Sequence, residues 1–136
     1  AATQPYARRM SSSRWPVVLF DLDGTLVDTI NLIVTSYQHA FRTVIGREWD
    51  EAEIKSWIGT SLIDAFHRAL GSETGQQAYE AYTAFNEAHT EELIKGYPGV
   101  PQLLQALRDA QVRFGVVTSK RRQPAEWALR LTNLDR

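Results

Sequence analysis

Two aspartates two residues apart, Asp21 and Asp23, are the side chains of this sequence best suited to chemistry. They follow an apolar run, Val17–Phe20, which predicts a β-strand covered on both faces. Gly24 permits a sharp turn directly after the second aspartate, and Thr25 adds a hydroxyl and an N–H beside that turn. Ligands of open α/β sheets bind just outside the carboxyl ends of the strands. We therefore expect both carboxylates to lie at one binding site.

Paired carboxylates at such a position are suited to phosphoryl transfer. Two close carboxylates repel each other and favour a bound cation, and hard oxygen ligands suit Mg²⁺. The first carboxylate can attack phosphorus and form an aspartyl-phosphate. The second can donate a proton to the leaving oxygen and later accept one from water. The alternative is a simple acidic turn, since Asp and Gly are common in turns, but the complete string is far more specific than Asp-Gly alone.

A second polar cluster follows another predicted strand, over residues 112–117. The cluster is Thr118, Ser119 and Lys120. Parallel neighbouring strands require a long connection, so we expect the two strands to pair in parallel with their polar ends at one edge. The Thr118 hydroxyl would then bind phosphoryl oxygens beside Asp21, or else cap the following turn. Lys120 is either a cation that screens phosphate charge or an exposed lysine after a strand.

The residues between the two predicted strands have the pattern of several helices. Apolar positions recur at helical spacing over residues 30–45, 50–58, 60–70 and 72–95, and glycines end the first three of these segments. Residues 97–100 then interrupt the helical pattern. Two more helices are expected, one with Leu103, Leu104 and Leu107 on its apolar face and one over residues 124–134.

Composition narrows the class of protein. The 136 residues suffice for one modest domain, and a net charge of −1 provides no basic field, so no nucleic-acid partner is expected. No apolar run approaches the length of a membrane span, so no membrane partner is expected. The chain has no cysteine, which excludes disulfides and thiolate metal sites and favours a cytoplasmic location. Residues 1–14 are polar and patternless and are interpreted as a flexible N-terminal tail.

The string from Phe20 to Asp28 resembles the first motif of the haloacid dehalogenase-like hydrolase superfamily, specifically its Mg²⁺-dependent phosphatases. The resemblance implies that Asp21 is the nucleophile and Asp23 the general acid/base. It also implies that the Asp21 carboxylate and the Asp23 backbone carbonyl ligate Mg²⁺. The dehalogenase branch usually has an aromatic residue in place of Asp23, so the acid favours phosphoryl chemistry over carbon–halogen cleavage.

Residues 116–120 resemble the second motif of the same superfamily, a hydrophobic strand that ends in Thr or Ser. This implies that Thr118 binds the phosphoryl group, together with the backbone of residues 22–25. Many relatives carry Asn where this chain has Ser119. The implied substrate-binding residues are Leu22, Gly24, Thr25, Thr118 and Ser119.

The resemblance also implies a domain organisation. Residues 29–96 resemble the small helical cap that this superfamily inserts after its first motif, with residues 15–28 and 97–136 forming an α/β core. The expected fold is therefore a parallel, Rossmann-like core with an inserted α-helical cap. The third motif, a lysine, and the fourth, an acidic pair, are not recognisable after the second. We therefore expect an incomplete core, corresponding to its N-terminal half, with open sheet edges that permit self-association.

Segments 57–60 and 96–100 resemble the phosphoglycolate phosphatases and related pyrophosphatases of the superfamily. The implied reaction is Mg²⁺-dependent hydrolysis of a small phosphorylated metabolite or of pyrophosphate. The alternative is a non-catalytic fragment or interaction module, which the missing third and fourth motifs support. The particular substrate stays open, because cap contacts would select it.

Overall fold

The computed structural model describes residues 15–136, and the predicted tail over residues 1–14 lies outside the described residues. Along the described chain, two strands are followed by four helices, and strand and helix then alternate twice. In order they are β1 (Val17–Phe20), β2 (Val27–Asp28), α1 (Ile30–Ile45), α2 (Glu51–Ser56), α3 (Leu62–Leu70), α4 (Ser72–Leu93), β3 (Lys95–Gly96), α5 (Val100–Asp109), β4 (Arg113–Val116) and α6 (Arg122–Leu131).

The central sheet consists of β1 and β4, which are adjacent and parallel. Val17 pairs with Arg113 and Phe20 with Val116, and the N–H of Val117 extends the ladder by donating to the carbonyl of Phe20 at 2.8 Å. The prediction of two parallel neighbours joined by a long helical crossover is confirmed. The carboxyl ends of the two strands consequently lie side by side, and the polar residues that follow them share one edge.

A second, smaller sheet was not predicted. Strand β2 pairs antiparallel with β3, with Val27 opposite Gly96 and Asp28 opposite Lys95. Two-residue strands leave no periodic signal in a sequence. The pairing places the start and the end of the α1–α4 segment next to each other. It also ends α4 at Leu93, two residues before the predicted limit, because Lys95 is taken into the strand.

Two hydrophobic clusters hold the structure together. One joins the turn after β1 to α5 and α6, and its buried residues include Leu22, Leu26, Leu104, Leu107 and Ala128. The other lies within the α1–α4 segment and is rich in aromatic side chains. Tyr37, Phe41, Phe66 and Tyr82 form its buried centre, and Trp49 and Trp57 pack against them.

Gly75 allows the helices of the second cluster to approach closely. A Cβ at Gly75 in α4 would lie 2.8 Å from the carbonyl oxygen of Phe66 in α3. Real Cβ atoms do not tolerate that separation from backbone, so a larger residue there would force the two helices apart.

The prediction that β1 is covered on both faces is wrong. Val18 and Phe20 pack into the first cluster, whereas Val17 is 41% and Leu19 65% exposed. No element among residues 15–136 packs over the second face. Val117, at the end of β4, is 62% exposed for the same reason.

Helix α5 also differs from its prediction at one position, since Leu103 is 41% exposed while Leu104 and Leu107 are buried. Helix α6 begins at Arg122 and ends at Leu131, earlier than the predicted residues 124–134. Among the described residues, no helix is both long and apolar enough to cross a membrane.

Candidate active site

Asp21 directly follows β1 and lies at the carboxyl end of the parallel sheet. It is exposed, and its Oδ1 accepts a hydrogen bond from the N–H of Leu22 at 2.8 Å. That bond, from the backbone of the next residue, orients the carboxylate. The second oxygen, Oδ2, accepts no hydrogen bond from any residue between 15 and 136. Asp21 therefore presents an oriented, accessible oxygen to solvent, which is the state a nucleophile or a metal ligand requires.

The turn after Asp21 is held by the carbonyl of Leu22. It accepts from the N–H groups of Thr25, Leu26 and Val27 at 3.1, 3.0 and 3.2 Å. Gly24 has a positive φ of +74°, and a Cβ there would lie 3.0 Å from Cδ1 of Ile30, so glycine is favoured on both counts. The side chain of Leu22 is fully buried, so only its backbone can contact a ligand.

Asp23 is enclosed by two donors that the sequence analysis did not assign to it. Lys120 Nζ lies 3.0 Å from its Oδ1 and 3.3 Å from its Oδ2, and the hydroxyl of Thr29 donates to Oδ1 at 2.7 Å. The Asp23 and Lys120 side chains are only 13% and 16% exposed. The interpretation of Lys120 as an exposed lysine is therefore wrong. Its position two residues after Thr118, at the same strand end, was the signal in the sequence.

Thr29 left no comparable signal, because a threonine before a helix is read as an N-cap. It does precede α1, yet its side chain makes no capping hydrogen bond. The hydroxyl is fully buried and used on Asp23 instead. The side chain at this capping position therefore bonds the candidate catalytic carboxylate and does not cap the helix.

Thr118 and Ser119 follow β4 at the same edge as Asp21, which the parallel register of β1 and β4 requires. The Thr118 hydroxyl oxygen accepts from the N–H of Lys120 at 3.1 Å. This bond shapes the turn that carries Lys120 toward Asp23. Its proton remains available to a ligand oxygen, since a hydroxyl can donate while it accepts.

A cavity of about 230 Å³ lies between this edge and the helical segment. Asp23, Ser119, Lys120 and Arg121 line it from the core side. The helical segment contributes aromatic, aliphatic and polar side chains, among them Tyr37, Trp57, Ile58, Tyr79, Tyr82, Thr83, Asn86 and Glu87. Asp21, Gly24, Thr25 and Thr118 are not part of the lining. Asp23 therefore lines the cavity, whereas the exposed candidate nucleophile Asp21, two residues earlier, does not.

Two tyrosines on the helical side of the cavity have altered acidity. Burial raises the pKa of Tyr82 well above its usual value, and the nearby Tyr37 hydroxyl and Asp23 carboxylate raise it further. Burial also raises the pKa of Tyr37, an effect partly offset by the charge of Arg68. Both hydroxyls therefore stay protonated at neutral and moderately alkaline pH.

The first turn contains oxygen atoms of the type that a hard cation such as Mg²⁺ binds. Asp21 Oδ2 is unused. The hydrogen bonds that flank Asp23 run from Val27 N to Leu22 O and from Gly24 N to Val27 O, so the carbonyl of Asp23 is not used in the turn. Within residues 15–136, no three His, Cys, Asp or Glu side chains cluster as a metal site. The donor set fits Mg²⁺ in type but is small, and most of the ion's coordination would be water.

Comparison with known proteins identifies the family. The sequence model of the haloacid dehalogenase-like hydrolases matches residues 18–136. The pyrophosphatase PpaX of Bacillus thuringiensis (strain Al Hakam) is 36% identical over 118 residues, which are 87% of this chain and 54% of that protein. This chain belongs to the haloacid dehalogenase-like hydrolase family, as the motif at residues 20–28 predicted.

Solved structures agree with this assignment. A protein described as a predicted phosphatase from Clostridium acetobutylicum superposes with a TM-score of 0.79 at 28% identity, covering 90% of this chain and 57% of that one. A protein described as a predicted phosphoglycolate phosphatase from Haemophilus somnus 129pt has a TM-score of 0.80, covering 90% of this chain and 60% of that one. At 22% identity, the second likeness concerns the fold alone.

The chain spans about half the length of the curated relatives it matches. Its core is accordingly partial relative to these structures, as the missing third and fourth motifs predicted. The α/β fold class and the parallel core are confirmed.

Proposed function

We propose that this chain carries the nucleophile and the acid/base residue of a Mg²⁺-dependent phosphatase acting on a small phosphate ester or anhydride. The observation that carries the proposal is the state of Asp21. Its carboxylate is exposed at the carboxyl end of a parallel strand, oriented by Leu22 N–H, with Oδ2 unused. The family assignment and the relative named a pyrophosphatase support phosphate chemistry at this position.

In the proposed reaction, a carboxylate oxygen of Asp21 attacks phosphorus and the bond from phosphorus to the leaving oxygen breaks. Asp23, in its acid form, gives a proton to that leaving oxygen. Water then attacks the aspartyl-phosphate and passes a proton to Asp23, which releases inorganic phosphate and restores Asp21. Lys120 and Thr29 hold the Asp23 carboxylate in the orientation from which it serves both steps.

Charge on the phosphoryl oxygens must be neutralised during transfer. Mg²⁺ bound by the Asp21 carboxylate and the Asp23 carbonyl would supply positive charge there. The remaining phosphoryl contacts come from hydroxyls and backbone N–H groups at the two strand ends. We assign them to Leu22, Gly24, Thr25, Thr118 and Ser119.

The helical segment over residues 29–96 is proposed to act as a cap on a core formed by residues 15–28 and 97–136. It lines the cavity beside Asp23 and would exclude water and select the substrate. A cavity of about 230 Å³ suits a small metabolite, such as phosphoglycolate or pyrophosphate. A cytoplasmic location, expected for a chain without cysteine, completes the proposal.

The experiment is to purify the 136-residue chain and follow phosphate release from phosphoglycolate and pyrophosphate while Mg²⁺ is varied. We expect slow turnover that depends on Asp21, because the metal site has few protein ligands. Intact-mass spectrometry after acid quench should detect a phosphoryl adduct on the wild type and on Asp23→Asn, but not on Asp21→Asn. Fast phosphate release by Asp21→Asn would contradict the mechanism.

The second candidate is a non-catalytic fragment or interaction module. The observation that favours it is the small set of metal ligands, since no three His, Cys, Asp or Glu side chains cluster as a metal site among residues 15–136. It is distinguished by the same assay. Neither phosphate release nor a phosphoryl adduct above the Asp21→Asn background would favour the module over the enzyme.

A further inference from the structure

Three side chains form a hydrogen-bonded chain between α1 and α4, and the direction of each bond can be assigned. The hydroxyl of Ser36 donates to the carbonyl of Leu32 at 2.6 Å, so its oxygen is left to accept. Asn86 Nδ2 donates to that oxygen at 3.1 Å. The second hydrogen of the same amide group is directed at the hydroxyl oxygen of Tyr82, at 3.5 Å. Tyr82 therefore accepts within this chain and keeps its own proton.

No residue between 15 and 136 accepts the proton of the Tyr82 hydroxyl. Tyr82 is 7% exposed as a whole residue. Buried polar groups are hydrogen-bonded in nearly all folded proteins, and the Tyr82 hydroxyl meets that rule only as an acceptor, through Asn86. An acceptor for its proton would lie in the space that Tyr82 lines.

That space is the cavity that Asp23 and Lys120 also line. The Asp23 carboxylate is close enough to act on Tyr82 electrostatically, since it adds to the rise in the pKa of Tyr82 that burial and Tyr37 produce. The proposed acid/base residue and Tyr82 thus line the same cavity, one from the core side and one from the cap side.

We propose that Tyr82 is a substrate-binding residue, whose hydroxyl donates a hydrogen bond to an acceptor oxygen on the leaving group of the phosphate compound. The proposal rests on the proposed function and adds a substrate class to it. The favoured substrates carry an oxygen acceptor on the leaving group, as a carboxylate or a second phosphate does. Simple alkyl phosphates, whose leaving group has no acceptor besides the bridging oxygen, gain nothing from Tyr82.

Tyr82→Phe tests the proposal because it removes one oxygen and keeps the ring in the aromatic cluster. Binding of phosphoglycolate and of methyl phosphate to the ¹⁵N-labelled 136-residue chain would be followed by NMR titration in excess Mg²⁺. We expect the substitution to weaken phosphoglycolate binding by about fivefold to tenfold, the usual effect of one hydrogen bond. Methyl phosphate binding should change by less than about twofold.

Tyr97→Phe is the matched control, since it also removes one phenol oxygen but Tyr97 does not line the cavity. It should leave both affinities within about twofold. If Tyr82→Phe binds phosphoglycolate as the wild type does, the role of Tyr82 is overturned while the proposed function stands. If the wild type binds neither compound, the proposed function fails and the role of Tyr82 fails with it.

Discussion

Lys120 Nζ lies 3.0 Å from Asp23 Oδ1, in an ion pair whose side chains are only 16% and 13% exposed. The pair joins the turn after β4 to the turn after β1. It also compensates the charge of a mostly buried carboxylate that lines the cavity. Breaking one member of a mostly buried pair leaves the other charge without compensation. The pair therefore contributes to the stability of the site as well as to its proposed chemistry.

Replacing Lys120 should destabilise the protein. Lys120→Met keeps the aliphatic stem and removes the ammonium, and we expect a loss of about 1.5–3 kcal/mol in the free energy of unfolding, measured by urea denaturation. Lys55→Met is the control, because its pair with Glu51 is half-exposed and should be worth less than about 1 kcal/mol. Equal losses in the two variants would show that the pair with Asp23 contributes no more to stability than an exposed ion pair does.

The buried hydroxyl of Thr29 should matter in a similar way. Thr29→Val removes the 2.7 Å hydrogen bond to Asp23 and preserves the side-chain shape, so a loss of about 1–3 kcal/mol is expected. Thr35 lies within α1, the helix that Thr29 precedes, and Thr35→Val removes only a 3.4 Å contact to Asn31 at the surface. The test is to compare the denaturation midpoints of the two variants. Equal midpoints would argue against a structural role for the Thr29 hydroxyl.

Asp21→Asn should affect activity without affecting folding. The residue is exposed, and asparagine retains an oxygen that can accept from Leu22 N–H. Because an amide is not a nucleophile toward phosphorus, phosphate release should fall by about 10⁴-fold or to background. The urea midpoint should match that of the wild type. A variant that unfolds early would leave stability, rather than chemistry, as the cause of any lost activity.

The open face of the sheet should promote association of the chain with itself. Leu19 is 65% exposed on the same face as Val17, and among residues 15–136 their strand is paired along one edge only. We expect the mass measured by light scattering to rise with protein concentration, and Leu19→Lys to reduce that rise. Leu103→Lys, at an exposed leucine of α5, should not. A monomeric wild type across the concentration range would refute this prediction.

Stability should fall in alkaline solution because of the two buried tyrosines. Burial raises the pKa of Tyr82 and of Tyr37 above 10, so above pH 10 the unfolded chain releases their protons more readily than the folded one. The folded state then binds more protons, and the free energy of unfolding decreases as pH rises, by up to about 1.4 kcal/mol per pH unit for each tyrosine. Below pH 10 the two tyrosines make their full contribution to the free energy of unfolding.

Tyr82→Phe isolates one of these contributions. Between pH 9 and 11, the free energy of unfolding measured with urea should decrease less steeply with pH for the variant than for the wild type. The difference in slope should correspond to up to about one proton. Lysines and surface groups titrate alike in both proteins and cancel in the comparison. Identical slopes would mean that Tyr82 ionises in the folded state as easily as in the unfolded one.

Much of this protein could be predicted from local patterns. The apolar runs before Asp21 and Thr118 identified the two parallel strands, and helical periodicity located the helices between them. The motif from Phe20 to Asp28 predicted the family that the comparisons confirm. These features succeeded because strand and helix periodicity, turn residues and motif spacing are properties of neighbouring residues along the chain.

Contacts across the fold could not be predicted in that way. The pairing of Asp23 with Lys120 joins residues 97 positions apart, and the bond from Asn86 to Ser36 joins residues 50 apart. No local pattern encodes which polar groups meet when two strand ends come together or when two helices pack. The exposure of Leu19 has the same origin, because burial depends on what covers a face rather than on the residues within it. The sequence alone determined the two parallel strands, the helices and the family. The tertiary structure decided which donors surround Asp23 and Tyr82, because hydrogen bonds depend on distance and direction in space.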